Sequence, residues 1–194
     1  MGCPASGKTF YAHNVEKACE AFGNLTYRHI SRDAIRFSLV GENEEYFSKE
    51  KEVFETFVSE VQKAIDDKIN VIVIDATHIS EGSRKKILSR LSHTYGYELE
   101  AVIFDVPIEI LKERNQLREG RARVPDSAIE NMYYNFSEPT IEELQNYQLN
   151  VIPTITFWRE KEWCEIYGIS PASYYLRIKK GMGVVEALTT PKRR

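Results

Sequence analysis

The first residues with evident chemistry are Gly2-Cys3-Pro4-Ala5-Ser6-Gly7-Lys8-Thr9, which fit the pattern G-x-x-x-x-G-K-[ST]. In a P-loop of this kind the glycines let the backbone curl until successive N–H groups face phosphate oxygens. Lys8 then reaches the β- and γ-phosphates, and the Thr9 hydroxyl takes a place on Mg²⁺. Gly2, Pro4, Ala5, Ser6, Gly7, Lys8 and Thr9 are therefore candidate ATP-binding residues. A helix opening at Lys8 adds its positive N-terminal end to the anion site. The competing reading is a glycine-rich turn without a ligand. The usual strand before the loop is missing, because only Met1 precedes it.

Phosphoryl transfer needs more than a cradle: a metal, a base for the attacking hydroxyl, and positive charge around the migrating group. Asp33 stands in Ser31-Arg32-Asp33-Ala34-Ile35-Arg36 and can accept a hydroxyl proton. Arg36 shares its helical face and suits an anionic group. Aspartate before a helix is also a common N-cap, so both roles stand open. Asp75 ends the apolar run Val71 to Ile74, where a carboxylate can hold Mg²⁺ through water, steady Thr9, or simply end the strand. Thr77 and His78 come next as possible acceptor contacts, with His78 equally a hydrogen-bonding surface residue. Arg114 and Arg118 lie four apart on one helix face, and Arg121 and Arg123 extend the basic stretch. Convergent arginines on a movable lid stabilise a transferring phosphoryl group; a solvated basic helix end is the alternative.

These residues need elements to hold them. Apolar periodicity predicts helices over 8–22, 34–40, 49–68, 81–95, 107–119, 125–136 and 140–147. Strands are expected over 25–30, 71–74, 99–106 and 150–157. The unbroken β-branched run at 71–74 suits a strand covered on both faces. Strands alternating with helices imply a parallel sheet between helical layers, with ligands at the carboxyl ends of the strands. The P-loop, Asp33, Asp75 and the segment after Val106 should therefore share one crevice.

Totals set the bounds. The chain has 194 residues, 42% of them hydrophobic, and a net charge of −3. That is enough to build a core, and the overall charge gives no general nucleic-acid signal. Cys3, Cys19 and Cys164 are odd in number and far apart, which supports neither a disulfide framework nor a zinc site. A cytoplasmic setting is expected, and no run is long and apolar enough to span a membrane. From Trp158 onward eight Lys/Arg face four Glu, a net of +4, which leaves −7 on the preceding 157 residues. That tail reads as helices over 158–167, 171–180 and 184–188 with helix-turn-helix spacing. Ile166, Ile169, Tyr174, Leu176, Ile178 and Leu188 suit a miniature core there. Ser170, Ser173, Tyr174, Arg177 and Lys180 then face a nucleic-acid backbone or groove, or else the tail is a helical hairpin packed on the kinase or a partner.

Taken together the motifs resemble the phage-type polynucleotide 5′-kinase branch of the P-loop kinases. The likeness rests on Gly2 to Thr9, Ser31-Arg32-Asp33-x-x-Arg36, Ile74-Asp75-Ala76-Thr77, Arg114-Asn115-x-x-Arg118, and Val124-Pro125 ahead of a helix holding Met132-Tyr133. It covers about residues 1–155, with 156–194 as a separate basic tail. The resemblance implies a three-layer α/β P-loop kinase fold with five parallel strands, the P-loop strand central. It implies that Asp33 is the general base for a nucleic-acid 5′-hydroxyl and that Arg36 binds the adjoining phosphate. Lys8 and Arg118 would meet the transition state, Arg114 would grip ATP, Asp75 would organise Mg²⁺, and Thr77 would line the acceptor site. The missing strand leads to the expectation that the natural reading frame begins upstream of Met1. No D-x-D-x-[TV] motif is present, so no phosphatase activity is expected. Two other readings stay open: a small-molecule P-loop kinase, and a non-catalytic nucleotide- and DNA-binding module.

Overall fold

Glycine and serine punctuation sets the first elements of the chain. The computed structural model describes residues 1–91, 96–154, 164–165, 167–182, 187–188 and 190. Helix α1 (Lys8–Phe22) starts after Gly7 and stops at Gly23, whose φ of 73° returns its N–H to the Cys19 and Glu20 carbonyls. Strand β1 (Tyr27–Ser31) runs into α2 (Arg32–Leu39), capped by the Ser31 hydroxyl on the Ala34 N–H. Helix α3 (Glu50–Asp66) buries the stripe Val53, Phe54, Phe57, Val58, Val61 and Ala64. Strand β2 (Val71–Asp75) leads to α4 (Glu81–Leu88), opened by a Ser80–Ser83 capping box. The helix expected to reach Tyr95 ends at Leu88, where Arg90 N–H turns back to the Ile87 carbonyl; residues 92–95 lie outside the described residues. Then follow β3 (Leu99–Phe104), α5 (Ile108–Gln116), a 3-10 turn (Gly120–Ala122), α6 (Asp126–Tyr134), α7 (Ile141–Asn146) and β4 (Leu149–Thr154). They complete a compact unit over Met1–Thr154.

β1 and β2 are parallel, with Tyr27 opposite Val71 and Ser31 opposite Asp75. β3 and β4 are parallel, with Leu99 opposite Leu149 and Phe104 opposite Thr154. Alternate strand residues face opposite sides, and β1 divides its partners accordingly. The Tyr27 hydroxyl donates to the Ala12 carbonyl of α1 at 2.6 Å, and the His29 ring meets the His13 ring at 5.8 Å. Ile30 instead packs with Phe54, Phe57, Val58 and Val61 of α3 and Ile87 of α4. Helix, sheet and helix make the three-layer α/β arrangement of a P-loop fold.

The sheet itself departs from the expected five continuous strands. Among the described residues four strands form two separate parallel pairs. Met1 and Gly2 link them: Phe104 N–H donates to the Met1 carbonyl and Gly2 N–H to the Thr77 carbonyl, both at 2.9 Å. The run from Val71 to Ile74 is half-buried rather than covered on both faces. Among the described residues β2 pairs with β1 on one side, and on the other Gly2 bonds Thr77, just past its C-terminal end.

Distant segments are tied by buried polar groups. Arg84 gives a two-pronged bond to Glu143, 2.8 Å at each oxygen, and donates to the carbonyls of His78, Ser137 and Glu138. Arg84 is only 3% exposed and Glu143 is fully buried. Asn115, fully buried, donates to the Val124 carbonyl at 2.7 Å and accepts from the Val124 N–H at 3.1 Å.

The second compact unit covers Ile155–Arg194. Its helix α8 (Pro171–Lys179) is capped by Ser170, with proline in the first turn. Cys164, Ile169, Tyr174, Ala187 and Leu188 form its core. Tyr174 is therefore a core residue, only 4% exposed, and not a nucleic-acid contact. The helices expected over 158–167 and 184–188 lie largely outside the described residues.

Candidate functional site

The phosphate loop is shaped by backbone that side chains would obstruct. Gly2 has φ 152°, and a Cβ there would stand 2.9 Å from Ser6 Oγ and 3.0 Å from Phe104 Cβ. Gly7, at φ 99°, is the N-cap of α1 and offers no side-chain bond to the helix. The first-turn N–H groups of α1 thus lack a side-chain cap, at the positive end of the helix dipole. Lys8 Nζ folds back on its own loop, donating to the Gly2 carbonyl at 3.0 Å and the Cys3 carbonyl at 2.7 Å. Bare amides, a tight glycine and a cation together fit a polyphosphate.

Thr9 sits opposite Asp75, its hydroxyl donating to Oδ2 at 2.8 Å. His29 Nε2 meets the same oxygen at 3.2 Å. Burial pushes the Asp75 carboxyl up, but the His29 and Thr9 hydrogen bonds and the Lys8 charge outweigh it and hold the group below its ordinary value. A Thr–Asp pair suits Mg²⁺, which keeps most of its shell as water and substrate phosphate. Among the described residues no group of three or more His, Cys, Asp or Glu converges as a self-sufficient metal cage.

Asp33 lies in the first turn of α2, and the cap is Ser31. The Asp33 side chain is 66% exposed, whereas that of Arg36 is 6% exposed and pairs with it. Arg36 also bonds Glu50 at 3.0 Å and donates to the Tyr46 hydroxyl at 3.3 Å. Tyr46 donates in turn to Asp33 at 3.2 Å, and Glu50 additionally holds Arg32. Arg36, expected to hold an acceptor phosphate, is thus already embedded in protein carboxylates.

Arg114 reaches the loop, its Nη1 donating to the Ala5 carbonyl at 3.4 Å. Arg118 donates to the Ala122 carbonyl at 3.0 Å within its own turn. Arg121 crosses to the end of α2 and donates to the Val40 carbonyl at 2.8 Å. Thr77 is half-buried, and its carbonyl receives Gly2. Half-buried His78 has its pKa pushed down to about 3 by burial and neighbouring cations, so its ring is neutral near pH 7. Lys8 shows what converges: burial lowers its pKa, Asp75 and Asp33 pull it back up, and Arg118 pushes it down. All three groups therefore lie in electrostatic reach of the loop lysine.

Sequence reading missed His29, Glu50, Tyr46, Arg84 and Asn115. A signal existed for Asn115, inside Arg-Asn-x-x-Arg; the others meet partners far off in the chain. In the second unit Ser170 accepts from the Ser173 N–H and Arg177 donates to the Ala187 carbonyl, so both polar groups serve the fold there. Residues 1–139 match the AAA domain family, a P-loop nucleotide-binding family that includes kinases.

Proposed function

The chain belongs to the AAA domain family, and from that premise we propose that it transfers the γ-phosphoryl group of ATP to the 5′-hydroxyl of a nucleic acid. What supports this best is that the Asp75, Asp33 and Arg118 charges all act on Lys8, whose own amine lies on the phosphate loop. A binder of nucleotide alone needs no exposed carboxylate within electrostatic reach of its phosphate lysine. Lys8 and the α1 amides hold the donor phosphates, Arg114 braces the loop, and Arg118 adds charge as the group moves. Thr9 and Asp75 are the residues that would hold Mg²⁺, which would supply positive charge to the donor phosphates when bound. Asp33 takes the proton of the attacking hydroxyl, and its exposure leaves room for one.

A small-molecule acceptor is the second reading. One observation favours it: Arg36 is occupied by Glu50 and Asp33 rather than open to a nucleotide phosphate. Transfer of labelled phosphate from ATP to 5′-hydroxyl oligonucleotides, with nucleosides and sugars in parallel, separates the two. Labelled oligonucleotide is the expected product. Label only on nucleosides or sugars selects the second reading, and no label anywhere removes both.

A further inference from the structure

Beside Asp33 stands a cluster of rings and guanidinium groups that the phosphoryl chemistry does not use. Phe37 and Phe47 are 40% and 60% exposed. Tyr46 joins them, its ring 4.8 Å from Phe47 at 89° and 6.1 Å from Phe37 at 66°. Arg36 lies 4.9 Å from the Tyr46 ring centre and 5.6 Å from that of Phe47. Arg121 arrives from the lid side, 5.3 Å from the Phe37 centre and 5.8 Å from that of Tyr46. One of its nitrogens, Nη2, is buried without a hydrogen-bond partner among the described residues.

Apolar rings exposed together cost hydration, and two stacked guanidinium groups do not hide them. A buried N–H without an acceptor costs more. A flat, electron-rich ring stacked on the exposed faces of Phe37 and Phe47 covers them. Nucleobases are such rings, and single strands are held by stacking bases on exposed aromatic side chains. The cluster touches Asp33 directly, through the Tyr46 hydroxyl at 3.2 Å. Resting on the kinase reading above, we infer that Phe37, Tyr46 and Phe47, flanked by Arg121, form a stacking platform for the 5′-terminal base of the acceptor strand. The base is gripped on the platform while its 5′-hydroxyl lies at Asp33. An acceptor without a ring, such as a sugar, loses that grip.

The test uses the full chain and a 5′-hydroxyl oligonucleotide carrying 2-aminopurine at its 5′ end, without ATP. Stacking quenches the probe, so fluorescence should fall on binding, and fall much less with the probe placed at the 3′ end. Phe47→Ala should abolish the quench and weaken binding about tenfold, within the range for one base–aromatic stack. Phe47→Trp should restore both. Phe47 is exposed, and matched thermal melts of the variants check that the fold is kept. With ATP added, KM for the base-bearing strand should be about tenfold below that for the same strand with an abasic 5′ end. Phe47→Ala should collapse that ratio toward one. An unquenched 5′ probe, or equal quenching in Phe47→Ala, overturns the platform. Quenching without any transfer keeps the platform and removes the kinase reading; transfer without quenching does the reverse.

Discussion

Asp33 keeps a largely exposed carboxylate next to a guanidinium that is almost wholly buried. The pairing fixes where the carboxylate points while leaving its other oxygen open to an acceptor. Asp33→Asn preserves size and most hydrogen bonding but removes the proton acceptor. Turnover should then fall by about 10²- to 10⁴-fold, with ATP affinity kept in an equilibrium titration; undiminished turnover would make Asp33 only half of an ion pair. The places of Asp33, Asp75 and Lys8 were readable, since each follows a strand end or sits in a local motif. The capping alternative for Asp33 was settled by Ser31, two residues earlier, which takes that role. Glu50 and His29 were not readable. Their partners lie 14 and 46 residues away, and nothing in a local pattern marks a charge that closes a tertiary contact.

Elements were more legible as helices than as a sheet. Helical periodicity is local, and the α1 and α3 boundaries came within two residues. Strand coverage depends on neighbours, and the half-buried β2 reflects a neighbour the pattern of Val71 to Ile74 cannot report. The segment from Ser137 to α7 is held by Arg84, whose partner Glu143 completes the Thr140 capping box. Removing one partner strands a buried charge. Arg84→Met should therefore lower stability by about 3–5 kcal/mol, read as a shifted urea midpoint. Arg84→Met combined with Glu143→Leu should recover most of it, since no charge is then left unpaired. A double variant as weak as the single one would show that the carbonyl bonds to His78, Ser137 and Glu138 carry the effect.

At the scale of the whole chain, charge is divided unevenly. Residues 158–194 carry a net +4 against −7 for the rest. Among the described residues of the second unit, Lys179 and Lys180 are exposed. If this basic tail binds DNA through phosphates, affinity must fall with salt by counterion release. Lys179→Ala with Lys180→Ala should then reduce the slope of log K against log salt by about 2, measured by anisotropy on duplex DNA. A slope that ignores both lysines would leave the tail as a packing element. The change of composition at Trp158 was legible from charge alone. Tyr174 suited either a small tail core or a groove contact in the sequence, and its burial decides for the core. No helix among the described residues is long and apolar enough to cross a membrane.

Met1 and Gly2 are bonded to Phe104 on one side and Thr77 on the other. In mechanical terms this is a stitch rather than a seam. One wall of the cleft carries Asp33 and Asp75, and the other carries the arginines that follow β3. Main-chain bonds between the two walls run through these two peptides, which open the phosphate loop, and through Ser137 N–H on the Ile79 carbonyl at 2.8 Å. A polyphosphate seated in the loop would therefore bear on the same peptides that tie the two walls together.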